Sequence, residues 1–135
     1  MNKKNIILKV AFFVYIVFLV WLVVFKFNFS FADIRKVREI NLLPFHYENV
    51  VEGDFPLVEA LLNFIVFIPF GFFLEKLCKC KIWVKALVIA SISLLFEVIQ
   101  YLFSIGASDI TDLITNTLGG LFGILIVVIL RKIKK

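Results

Sequence analysis

The stretch Val84–Phe103, VKALVIASISLLFEVIQYLF, decides how the rest of the chain is read. As an α-helix rising about 1.5 Å per residue, the run matches the hydrocarbon core of a bilayer, roughly 30 Å thick. Yet Glu97 and Gln100 sit inside it, one helical turn apart. The run is long and apolar enough to be a membrane span, and it carries a carboxylate that lipid alone cannot solvate.

Three further runs of the same kind flank it. Residues 6–25 contain only Lys9 as a charge, residues 57–77 are charge-free from Ala60 to Leu74, and Leu113–Leu130 are uncharged. The chain of 135 residues is 62% hydrophobic and holds 17 Phe. That is more apolar side chain than a soluble domain of this size can hide. The expected fold is all-α: one polytopic membrane domain over residues 1–135, with spans 6–25, 57–77, 84–103 and 112–130 and a long outer loop between the first two. A secretory signal is the rival reading of the first run. The run is long for such a segment, and FKFNFSFADIRK offers no small-residue cleavage site, so it is expected to stay as a span.

The net charge of +5 sits in short clusters beside the apolar runs, a topology pattern and not a nucleic-acid surface. Lys3, Lys4 and Lys9, then Lys76, Lys79, Lys81 and Lys85, then Arg131, Lys132, Lys134 and Lys135 make 11 of the 15 basic residues, all on one side of a four-span chain. That side is expected to be cytoplasmic, with both termini there and the protein in the plasma membrane. Cys78 and Cys80 fall on it, where thiols usually stay reduced, and one His leaves a zinc site short of ligands. No metal and no cofactor is expected.

Ser93, Glu97, Gln100, Tyr101 and Ser104 share one face of the third span; Asp109, Asp112, Asn116, Gly119 or Gly120, and Gly123 share one face leading into the fourth. From the outer ends, Glu97 lies roughly 10 Å deep, Asn63 about 9 Å and Asn116 about 6 Å. Three spans therefore place polar groups in one layer, with a partner for Glu97 expected among Arg38, Asn41, Asn63 and Asn116. The layer is either a functional pocket or interhelical hydrogen-bond glue, worth about 0.6 kcal/mol per bond. Gly119-x-x-x-Gly123 suits close helix packing within the chain. Pro69, with Gly71 nearby, leaves the Ile65 carbonyl without its helical partner and predicts a kink. In the outer loop, INLLPF (Ile40–Phe45) is apolar enough to dip into the interface, and Pro44 turns the chain there. His46 is read as interfacial.

Three blocks in order, REINLLPF from Arg38, NFIVFIPFGFFL from Asn63, and EVIQ from Glu97 with DITDLITNTLGG from Asp109, resemble the VanZ-like family of small bacterial membrane proteins. The resemblance runs from about Arg38 to Gly123. It implies roles for Arg38, Asn41, Asn63, Pro69, Gly71, Glu97, Gln100, Asp109, Asp112, Asn116 and Gly119. The family pattern also has a basic residue before the Asp-rich loop, where this chain reads SIGASD, and a third acidic residue where this chain has Thr111. The family is named for low-level resistance to the lipoglycopeptide teicoplanin, which implies a cell-envelope role.

Three functions follow. The first is a module that binds or shields against an amphiphile, a lipoglycopeptide or an envelope (cell-wall) lipid. The second is a membrane enzyme acting on a lipid headgroup through Glu97, Asp109 and Asp112, although no nucleophile–base pair accompanies them. The third, transport, lacks a polar path, since VKALVIASI and LFGILIVVIL are almost wholly apolar. Membrane lipids are the expected partners.

Overall fold

The computed structural model describes residues 3–24, 40–46, 56–104 and 108–134. Four helices of 22 to 24 residues fill most of them: α1 (Lys3–Val24), α2 (Pro56–Leu77), α3 (Ile82–Phe103) and α4 (Ile110–Ile133). In hydrocarbon a helix satisfies its own backbone groups, so each apolar run takes this form. All four are long and apolar enough to cross a membrane, and the chain is a polytopic all-α membrane protein. Each expected span coincides with one helix, and the ends differ by a turn or less.

Local chemistry sets the ends. Asp109, in extended conformation, caps α4 by accepting from the Thr111 amide at 2.7 Å. Ser104 closes α3 in the left-handed region at φ 54°, its amide turned back to the Gln100 and Tyr101 carbonyls. Before α2 and α4, two short strands, β1 (Ile40–Asn41) and β2 (Ser108–Asp109), pair in parallel, Ile40 with Ser108 and Asn41 with Asp109.

The most extensive contact is between α2 and α4, and glycine makes it possible. A Cβ on Gly71 would lie 1.7 Å from the Gly120 carbonyl oxygen; on Gly119, 2.0 Å from that of Phe64; on Gly123, 2.0 Å from that of Ile68. The small-residue face of α4 is thus used within the chain, backbone against backbone. Around this seam Leu19, Val23, Phe67, Phe70, Ile89, Phe96 and Ile124 form the core, with Phe67 edge-on to Phe96 at 6.2 Å. Phe13, Val17, Leu61, Leu94, Leu118 and Leu125 point outward, as lipid-facing side chains must.

The helix α2 continues unbroken through Pro69. Beside the carbonyl that Pro69 deprives of a donor, the Tyr15 hydroxyl donates to the Val66 carbonyl at 2.6 Å, tying α1 to α2. The Phe12 and Tyr15 rings meet the Phe73 ring and complete that contact. Cys78 and Cys80, in the turn from α2 to α3, are joined as a disulfide, where the sequence reading expects free thiols. Their Cα atoms are 5.3 Å apart.

Candidate functional site

The polar residues gather at the end of the bundle where α3 stops and α4 begins. Glu97 is buried on α3, and its Oε2 accepts from the backbone amide of Asp109 at 2.8 Å. Asp109 uses one carboxylate oxygen as the α4 cap and the other, Oδ2, to accept from Asn41 Nδ2 at 3.1 Å. Asp112 follows, buried in the first turn of α4. Three carboxylates therefore surround one helix N-terminus, whose amides and positive dipole end stabilise negative charge.

Asn41 organises the turn above. Its amide donates to the His46 carbonyl at 2.9 Å as well as to Asp109, and its Oδ1 accepts from the Leu43 amide at 3.1 Å. The turn through Pro44 places Phe45 at φ 56° and lets its amide donate to Thr111 Oγ1 at 3.0 Å. Leu42, Leu43 and Phe45 remain exposed, Leu42 by 72%. An apolar tip is thereby fastened to an acidic centre.

Deeper in the bundle, Asn116 is fully buried and its Nδ2 donates to Ser93 Oγ at 2.9 Å. Gln100 Nε2 donates to the Val23 carbonyl at 2.6 Å, in the last turn of α1. Gln100 thus also anchors α1. Asn63 is buried on α2, next to the Phe64 backbone that meets Gly119. Among the described residues expected to partner Glu97, Asn41 is linked to it through Asp109, while Asn116 is joined to Ser93. Arg38 lies outside the described residues.

Two features escape the sequence reading. Thr111, which reads as a departure from an acidic pattern, is a structural link: it is buried, its amide is capped, and its hydroxyl holds Phe45. The other lies at the opposite end of the bundle. There Glu75 of α2, only 8% exposed, bonds Lys85 of α3, which is 5% exposed. It also bonds Arg131 of α4 at 2.6 Å, and Arg131 reaches the Glu75 carbonyl at 3.1 Å. The signal is present in the sequence as an acid within a basic cluster.

A family model described as VanZ/LLP1 matches residues 12–131, which include every described residue of the site. The chain is 42% identical over 113 residues to Protein VanZ of Enterococcus faecium, covering 82% of this chain and 66% of that protein. It therefore spans just under two thirds of that relative's length. No solved structure matches the chain. With a family match over residues 12–131 and four membrane-length helices, the chain belongs to the VanZ/LLP1 family.

Proposed function

We propose that the protein is a cell-envelope membrane protein whose acidic end binds, or shields the cell against, an amphiphile such as a lipoglycopeptide or an envelope lipid. One observation carries this reading: the exposed apolar tip Leu42–Phe45 is hydrogen-bonded directly to the buried acidic centre through Asn41 and Thr111. A tail has an apolar landing beside a place for a polar head. Glue alone needs no such tip, and a buried carboxylate is a costly way to join helices that Ser or Asn could join.

The distribution of basic residues supports a plasma-membrane orientation with both termini cytoplasmic, and this puts the acidic end in the outer half of the bilayer. The family membership supports a link to teicoplanin. The enzymatic alternative through Glu97, Asp109 and Asp112 gains no observation, since Glu97 and Asp109 are engaged in holding the loop and the helix cap.

The test is Glu97→Gln, which keeps shape and hydrogen-bonding capacity while removing charge. Teicoplanin susceptibility of expressing cells is measured beside thermal stability of the purified protein. The reading expects protection to be lost with the fold intact. A fully protective and more stable variant would return Glu97 to the role of glue, because a neutral amide is cheaper to bury.

A further inference from the structure

Cys78 and Cys80, the only cysteines in the chain, are joined across a separation of two residues, with Cα atoms 5.3 Å apart, inside the range a disulfide requires. What such a bond does for a fold depends on the loop it closes. Stabilisation by a disulfide grows with loop length, and this loop encloses Lys79 alone. The helix ends it would hold are held already, because Glu75 in the last turn of α2 is bonded to Lys85 in the first turn of α3. As a staple the bond is redundant.

Its surroundings suit exchange instead. Both cysteines are half-buried in the turn between α2 and α3, and Lys79, Lys81 and Trp83 beside them are exposed, so the turn is open to water. Lys79 and Lys81 bracket Cys80 in the chain. Cys80 also stands immediately before Lys81, the N-cap residue of α3, where the helix presents its positive end. Positive charge stabilises the thiolate, which both attacks and leaves in thiol–disulfide exchange. The cytoplasmic orientation proposed above adds the compartment: disulfides on that side of a membrane are usually transient, catalytic or redox-sensing.

We propose that Cys78 and Cys80 form a redox-active couple that exchanges with a soluble dithiol at the cytoplasmic face. The proposal rests on the orientation reading and on nothing at the acidic end. In the reducing direction a thiolate of the dithiol attacks one sulfur of the pair, the S–S bond breaks, and its electron pair leaves on the other cysteine. The second thiolate of the dithiol then attacks the mixed disulfide and releases the first cysteine. Two electrons and two protons pass to the pair, and the dithiol departs as a disulfide; the reverse sequence oxidises the pair.

The experiment uses the full chain, folded in a non-ionic detergent and equilibrated with dithiothreitol at graded ratios to its oxidised form. The reaction is stopped with acid, and free thiols are counted by the gel shift from a polymer-tagged maleimide. The pair is expected to pass reversibly between disulfide and dithiol while the thermal unfolding midpoint stays where it was. A disulfide that yields only after unfolding, or a midpoint that falls on reduction, makes the bond a staple and overturns the proposal. Thiols that stay reduced at every ratio overturn it as well.

Two further readouts complete the test. The reduced protein should react with the neutral disulfide dithiodipyridine at neutral pH, and Lys79→Gln with Lys81→Gln should slow that reaction by about threefold. Equal rates would refute the electropositive activation of the pair. A membrane-impermeant maleimide separates orientation from chemistry. It should label the reduced cysteines in inverted vesicles and not in right-side-out ones. The opposite pattern overturns the cytoplasmic placement, and the titration alone decides whether the pair is a couple.

Discussion

Replacing Gly119 with alanine tests the seam on which the site is built. The new Cβ would stand 2.0 Å from the Phe64 carbonyl oxygen, and an ordinary contact begins at 3.4 Å, so α2 and α4 must part by more than an ångström. The obstructing atom is helical backbone and cannot rotate away. Overpacking of a close-packed core costs about 1–3 kcal/mol. The upper end applies here, because parting the helices also loosens the contacts of Gly71, Gly120 and Gly123. Alanine returns about 1 kcal/mol of helix propensity. The net expectation is a loss of about 2 kcal/mol, read by equilibrium unfolding in mixed micelles. Gly123→Ala should behave alike, and the double variant should lose less than the sum, since one separation relieves both clashes. Leu118→Ala, on the exposed face beside Gly119, should stay within about 0.5 kcal/mol. A Gly119→Ala protein as stable as the parent would refute backbone-to-backbone packing of α2 on α4.

Other outcomes follow from the two ends of the bundle. Glu75→Ala strands the buried Lys85 and should cost about 3–5 kcal/mol, while the apolar pair Glu75→Leu with Lys85→Met should recover most of the loss in thermal unfolding. Arg131→Ala, with its partly exposed side chain, should cost about 1 kcal/mol or less. Asp109→Ala removes the α4 cap and should lower stability by about 1–2 kcal/mol, whereas Asp109→Asn should keep most of it because its carbonyl still accepts from Thr111. Reporter fusions at Lys135 and within Lys79–Lys81 should be active on the cytoplasmic side and one near Glu48 should not; the reverse pattern would move the acidic end to the inner leaflet.

The spans are legible because a bilayer imposes length and apolarity on any segment that crosses it, and both can be counted along the chain. The small-residue face of α4 is legible too, since only glycine leaves room where a Cβ would stand 2.0 Å from a neighbouring carbonyl oxygen. Azimuth is harder. A helix surrounded by lipid is apolar on every side, so periodicity does not say which face meets a neighbour, and only Glu97, Gln100, Asn116 and the glycines mark it. Partners across long separations are not legible at all. Gln100 ends 77 residues from Val23, and Asn41 ends 68 from Asp109. Glu75 is hidden for a related reason: in a cluster of lysines its charge reads as one more surface ion until α4 brings Arg131 to it.

The bond from Glu97 to the Asp109 amide has a consequence for biogenesis. During synthesis α3 leaves the ribosome first, carrying Glu97 and Gln100, and its partner amide follows only after the short connection to α4. If α3 moved into lipid alone it would take a carboxylate with it, at an insertion cost of about 2.5–3.5 kcal/mol. Entering as a hairpin with α4, it brings its own donor. Entry of the third and fourth spans as a hairpin is the route along which Glu97 meets the Asp109 amide without first facing lipid.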